Sequence, residues 1–146
     1  MMQRERWRDV ERELLPLMQN AYDALEPFQD IPLDIDCERY AELDDADVLH
    51  VLTWRDGGVL VGQCLVLHTN CLRHKGQKVA QTDHIWLEPQ YRGQGIGAAF
   101  MRDVVAYVEG LGVLMFAAAS REVLDIRGKW QSVGFVPLET LMIRRM

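Results

Sequence analysis

The sequence predicts an α/β domain, a mixed sheet with helices on both faces. Three observations carry that expectation. Two β-rich runs, "DVLHVLTW" and "VLVGQCLVLHT", flank the turn "RDGG", and Asp-Gly-Gly between such runs favours a hairpin. A third run, "VAQTDHIWL", leads through a glycine-rich stretch into a helical pattern and then a further strand, "VLMFAA". A strand–helix–strand unit of this length implies parallel neighbours. The segment ahead of the hairpin is itself amphipathic at helical spacing.

In chain order, roughly Arg4 to Leu25 reads as a helix, with Trp7, Val10, Leu14, Leu17, Met18, Ala21 and Leu25 at three- and four-residue steps. Pro16 interrupts it and predicts a kink or a break into two helices. "EPFQDIPLDID" has two prolines, four acids and no periodicity, so it reads as a loop, with a short helix following around Cys37 to Leu43. The second hairpin strand is apolar on both faces and should be covered on both sides. "NCLRHKGQK" is a polar connection. Ile96, Phe100, Val104, Tyr107, Val108 and Leu111 describe one helical face that ends at Gly110 and Gly112. "REVLDIRGKWQSV" predicts a last helix, stopped by Gly134, and "FVPLETLMIRR" one or two final strands.

Composition excludes several classes. With 146 residues, 49% hydrophobic and 26% charged, the chain reads as one soluble domain, residues 1–146. A domain of this size buries roughly 70% of its unfolded surface and needs no metal or disulfide for stability. The net charge of −6, with scattered Lys and Arg, argues against a nucleic-acid surface. No apolar run reaches the ~18 residues of a membrane span, and "MMQRERWRDV" is too charged for a signal peptide. Cys37, Cys64 and Cys71 are odd in number and unpatterned, which suits a reducing cytoplasm.

The stretch "PQYRGQGIGAAF" sets Gly93, Gly95 and Gly97 at a helix start. Glycine there lets backbone N–H groups approach a ligand, and the helix end is electropositive. A phosphate cradle is the chemistry this suits. Gly93, Gly95 and Ala98 fit the dinucleotide fingerprint, but "EPQYR" separates them from the strand and "LMFAAAS" offers no acid for a ribose. A Walker loop is excluded because no Lys-Ser or Lys-Thr follows the last glycine. Amides of Gln94 to Ala98 would face a phosphate group, with Gly93 and Gly95 leaving room for it. Arg92 either extends the positive end or is solvated.

"RGQGIG", residues 92 to 97, matches [QR]-x-x-G-x-[GA], and resembles the acyl-CoA pyrophosphate motif of the GNAT N-acetyltransferase superfamily. "HIWLEPQYRGQGIG" is similar to that family's fourth strand and third helix, "KWQSVGFVP" to its fourth helix and sixth strand, and "LVG" at 60–62 to its third strand. The resemblance spans about residues 48 to 137. It implies a mostly antiparallel sheet with a central parallel pair that splays at a bulge, and acetyl-CoA as cosubstrate. The implied cradle is Arg92, Gly93, Gln94, Gly95, Ile96, Gly97 and Ala98, with the Leu87 amide facing the acetyl carbonyl as an oxyanion donor. The acceptor it implies is a small-molecule or peptide amine, with a homodimer left open. The chain is expected to lack the family's first strand, a shortened layout resembling GNAT-like proteins of phage genomes.

Acetyl transfer needs a neutral amine, oxyanion donors and a proton for the departing thiolate. Gln81 stands where some members carry glutamate and cannot act as a base. Asp83, on the same face by the two-residue period, is the nearest acid and the candidate base, or else a strand-end partner. His84 is expected on the opposite face, packed under a helix. Trp130 stands where the family often has tyrosine, which places it near the sulfur of the pantetheine arm. Without that tyrosine, the alternative is a GNAT-fold module that binds CoA or a partner without turnover. Ser120, just after the fifth expected strand, either touches the pantetheine arm or serves as an ordinary helix cap. Acids at Glu26, Asp30, Asp34 and Asp36 either suit a cationic amine or are solvated. Cys64, His68, Cys71 and His74 are zinc-type residues, but Cys64 and His68 stand about 13 Å apart along one strand at 3.3 Å per residue, too far for one ion. No metal is expected there.

Overall fold

The computed structural model describes residues 1–146. Its elements are β1 (Met2–Glu5), α1 (Trp7–Leu25), α2 (Cys37–Asp45), β2 (Leu49–Asp56), β3 (Val59–Asn70), β4 (Lys78–Leu87), a 3₁₀ turn (Pro89–Tyr91), α3 (Ile96–Gly110), β5 (Met115–Ala117) and α4 (Arg127–Ser132). The sheet order is β1-β2-β3-β4-β5, antiparallel except for the parallel β4–β5 pair. This is the expected mixed sheet. No helix is long and apolar enough to cross a membrane.

The alternation of β2 and β3 sorts the core into two layers. On one face Leu49, Val51, Leu60 and Leu65 pack against Trp7, Val10, Leu14, Leu17 and Met18 of α1 and Ala41 of α2. On the other, Leu52, Cys64, Val66 and Ala80 pack against Phe100, Val104 and Val108 of α3. The hairpin turns at Gly57 and Gly58, whose φ values of 55° and 85° are those of the tight turn that suits strand twist.

Four expectations fail. The first strand is present: Met2 to Glu5 pair with Trp54 to Val51. The segment is short and polar, and backbone hydrogen bonds recruit it where no hydrophobic alternation shows. Pro16 does not divide α1, which runs unbroken to Leu25. Pro16 lies on the exposed face with Arg12, so the carbonyl it deprives of a partner is open to water. The last helix covers only Arg127–Ser132, because Ser120 Oγ and the Asp125 carboxylate accept from the Ile126 and Arg127 amides and fix its start there. No strand forms beyond Gly134. The β4–β5 ladder joins just Val79–Gln81 to Met115–Ala117, a short edge, and Pro137 lacks the amide that a ladder needs.

Candidate functional site

The site begins at an irregularity in β4. His84 pairs with Leu65 and Thr82 with Val66, so Asp83 is an extra, bulged residue. The parallel pairing ends nearby, at Gln81 with Ala117, and β5 does not follow β4 further. The expected splay is therefore present. Glu88 N–H donates to the Val61 carbonyl at 2.9 Å. By antiparallel alternation, the backbone of Leu87 faces away from β3 toward that gap. Its carbonyl accepts from Arg92 Nε at 2.8 Å, consistent with the same direction.

Beyond Leu87 the chain passes through the 3₁₀ turn into the glycines. Gly93 and Gly95 have φ values of 74° and 83°, a left-handed backbone that glycine adopts without steric cost. A Cβ at either would meet no protein atom within 4 Å, so the space over the turn is open. Gly95 caps α3 and no side chain bonds to the helix start. Ile96, Gly97 and Ala98 thus present amides with no intrahelical acceptor, and the exposed Gln94 flanks them. Arg92 is half-buried rather than solvated: its guanidinium lies 4.3 Å over the Trp86 ring and holds the Leu87 carbonyl. Burial lowers its pKa and the Glu88 carboxylate opposes that shift. Arg92 braces the cradle.

Two hollows meet at the splay. The narrower, about 90 Å³, runs between Trp86, Leu87, Arg92 and Gly97 toward Ile85, Leu124 and Ile126. The wider, about 260 Å³, shares those last three residues and opens toward Glu26, Tyr40, Asp83, His84 and Arg121. Asp83 accepts a hydrogen bond from Tyr40 Oη at 2.8 Å, and Tyr40 stacks on Trp7 at 4.5 Å. Burial, then the neighbouring Asp83 charge, raises the Tyr40 pKa, so the phenol keeps its proton.

His84 corrects a sequence expectation. The bulge breaks the two-residue period, and His84 lines the same cleft as Asp83, with Nε2 buried and unpartnered. Burial lowers its pKa, Asp83 opposes this and Arg121 reinforces it. Trp130 is a second correction. It is 3% exposed, packs on Phe116 and Phe135, and donates Nε1–H to the Ala119 carbonyl at 3.2 Å. It lines neither hollow. Phe116 and Phe135, which enclose it, lie outside the helix pattern that the sequence shows. Of the loop acids, Glu26 reaches the cleft, whereas Asp36 caps α2 and Asp30 pairs with Arg145. Tyr40 had no distinguishing signal in the sequence.

A family model described as the Acetyltransferase (GNAT) family matches residues 6–127. No curated protein matches the chain. Solved structures share the fold at low identity. A ribosomal-protein-alanine N-acetyltransferase from Brucella melitensis biovar Abortus 2308 is 20% identical, with TM-score 0.72, covering 100% of this chain and 99% of that one. An aminoglycoside acetyltransferase from an uncultured soil metagenomic sample, in complex with sisomicin, is 13% identical at TM-score 0.77, covering 100% and 94%. A Clostridium acetobutylicum protein, described as a predicted acetyltransferase with acetyl-CoA, is 11% identical at TM-score 0.74, covering 99% and 95%.

Proposed function

This chain belongs to the acetyltransferase (GNAT) family, and from that premise we propose that it transfers an acetyl group from acetyl-CoA to an amine held beside Asp83. The observation that carries the reading is the meeting of two hollows at the β4 splay, one leading from the glycine cradle and one lined by Asp83 and His84. Acetyl-CoA supplies the acetyl group as an activated thioester. The open turn at Gly93 and Gly95 and the uncapped amides of Ile96 to Ala98 fit its diphosphate. Trp86, Leu87, Phe100 and Met101 line a channel apolar enough for the pantetheine arm. The Leu87 amide, directed into the gap, is the donor for negative charge developing on the acetyl oxygen.

On the acceptor side, Asp83 and Glu26 favour a cationic amine. Asp83, positioned by Tyr40, holds the ammonium and neutral His84 takes its proton; the freed amine attacks the thioester carbonyl, the C–S bond breaks, and CoA leaves as the thiolate and is protonated by water. The basicity of an imidazole matches that step near neutral pH better than a carboxylate does. Similarity to acetyltransferases of aminoglycosides and of a ribosomal protein supports a small-molecule or peptide amine as acceptor.

Gly95→Val tests the cradle, since a β-branched residue is strained at φ 83° and would project into the open space. Acetyl-CoA affinity by calorimetry should fall at least tenfold while the circular dichroism spectrum is kept. Unchanged affinity would refute the cradle. The base is tested by a pH profile. His84 has a lowered pKa, so its basic form persists below about pH 6.5 and kcat/KM should fall only under that value. His84→Ala should remove that limb, and Asp83→Asn should raise the acceptor KM. Tight acetyl-CoA binding with no turnover on any amine would leave a CoA-binding module as the function.

A further inference from the structure

Toward the C-terminal end of α3, three ligating side chains converge that acetyl transfer does not use. Asp47, His50 and His68 each place one ligand atom within 4.8 Å of the others. The fold explains the convergence. His50 on β2 pairs with Val66 on β3, so His68 is its diagonal neighbour on the same sheet face. His68 N–H donates to the Val48 carbonyl at 2.7 Å, which draws Asp47 alongside.

Asp47 occupies an unusual position. It follows the cap of α2 with φ 59°, while its N–H bonds to the Asp44 carbonyl at 3.1 Å and the Val48 N–H to the Leu43 carbonyl at 2.9 Å. That closing motif ordinarily takes glycine. Here the residue has a carboxylate instead, with Oδ1 3.4 Å from His50 Nε2. On its other side, His50 Nδ1 lies 2.7 Å from the Tyr107 hydroxyl, a partner that orients the ring. His68 is 7% exposed, and neither of its ring nitrogens has a partner. A buried imidazole with both nitrogens unsatisfied is costly unless something completes it.

We propose that Asp47, His50 and His68 bind a divalent cation of the zinc type, with solvent completing the shell. Two imidazoles and one carboxylate suit a borderline ion, whereas calcium and magnesium favour all-oxygen sites. Ligands 2.0–2.1 Å from a tetrahedral ion stand about 3.3 Å apart, close to the separation of Asp47 from His50. Asp47 is exposed and supplies the entry from solvent, and His68 closes inward on loading. The ion would clasp the end of α2 to β2 and β3 and, through Tyr107, to α3. Tyr107 is eleven residues along α3 from Ile96, about 16 Å from the cradle. Cys64, Cys71 and His74 take no part, so this is a different set from the one strand spacing rejects.

Chelator-treated protein should bind one equivalent of Zn²⁺ by calorimetry, gain thermal stability, and develop the visible bands of tetrahedral Co²⁺ on cobalt titration. His68→Ala should cut Zn²⁺ affinity at least tenfold, and Tyr107→Phe by about 10–100-fold. Asp47→Gly guards against misfolding: it relieves the left-handed backbone, so the metal-free protein should melt no lower while Zn²⁺ affinity drops. His74→Ala should bind as wild type. Absence of Zn²⁺ binding by the wild type, or affinity unchanged by either His68→Ala or Asp47→Gly, would overturn the site.

Discussion

The chain up to Gly110 and the chain after it are built on different terms. The first part contains both core layers, ladders of up to twelve-residue strands and nearly every buried residue. In the second, Trp130 alone is buried, β5 has 3 residues and α4 has 6. The glycine cradle lies wholly in the first part, between β4 and α3. One wall of the wider cleft, Ala119, Arg121, Leu124 and Ile126, comes from the second. Few buried contacts mean a low cost of local opening. On the proposed reading the glycine cradle is thus preorganised, whereas the wall that the two hollows share at Leu124 and Ile126 is adjustable.

The largest expected effect strikes the first part. Asp44 is 1% exposed, accepts the Trp7 N–H at 2.8 Å and pairs with Arg4 and Arg6, so one carboxylate ties β1, α1 and α2 together. Asp44→Ala strands those partners and should cost about 3–5 kcal/mol, read as a urea midpoint shift. A loss under about 1 kcal/mol would show that the first part is not held this way.

Trp130→Ala should come next. Truncating a large aromatic in a full core costs about 3–5 kcal/mol, but here the loss falls on a segment that can open by itself. Amide exchange should accelerate across residues 111–135 and the acceptor KM should rise, with acetyl-CoA affinity falling by less because the glycine cradle lies outside that segment. Parallel losses of both ligands would erase the contrast between the two sides.

The smallest effect is a pH dependence. Arg55 Nη2 lies 2.8 Å from Glu13 and 3.1 Å from Glu5, joining the hairpin to α1 and β1. Its hydrogen bond holds the Glu13 carboxyl below the usual range. A lowered folded pKa gives stability that is complete above the ordinary glutamate value and lost as pH falls through the folded one. The N-terminal part should therefore soften below about pH 4.3, by well under 1 kcal/mol because Glu13 is half exposed. Arg55→Met should flatten that slope in a pH series of thermal melts.

Much of this was readable locally. The Asp-Gly-Gly hairpin, the apolar stripes of α1 and α3, and the glycines opening α3 follow from periodicity and backbone sterics, which act within a few residues. The cradle came from that same stretch, and the family resemblance from it together with "KWQSVGFVP" and "LVG". What the sequence could not specify depends on neighbours distant in the chain. The polar segment Met2–Glu5 becomes a strand only because β2 offers an edge, and "FVPLETLMIRR" stays unpaired because β5 offers so little of one. The bulge at Asp83 is a matter of register with β3, and it alone brings His84 into the cleft. Trp130 is inside because Phe116 and Phe135 close over it. Asp47, His50 and His68 lie up to 21 positions apart and meet only through the β2–β3 register and the turn ending α2. Local pattern determined which elements form, and through-space pairing decided which side chains face one another.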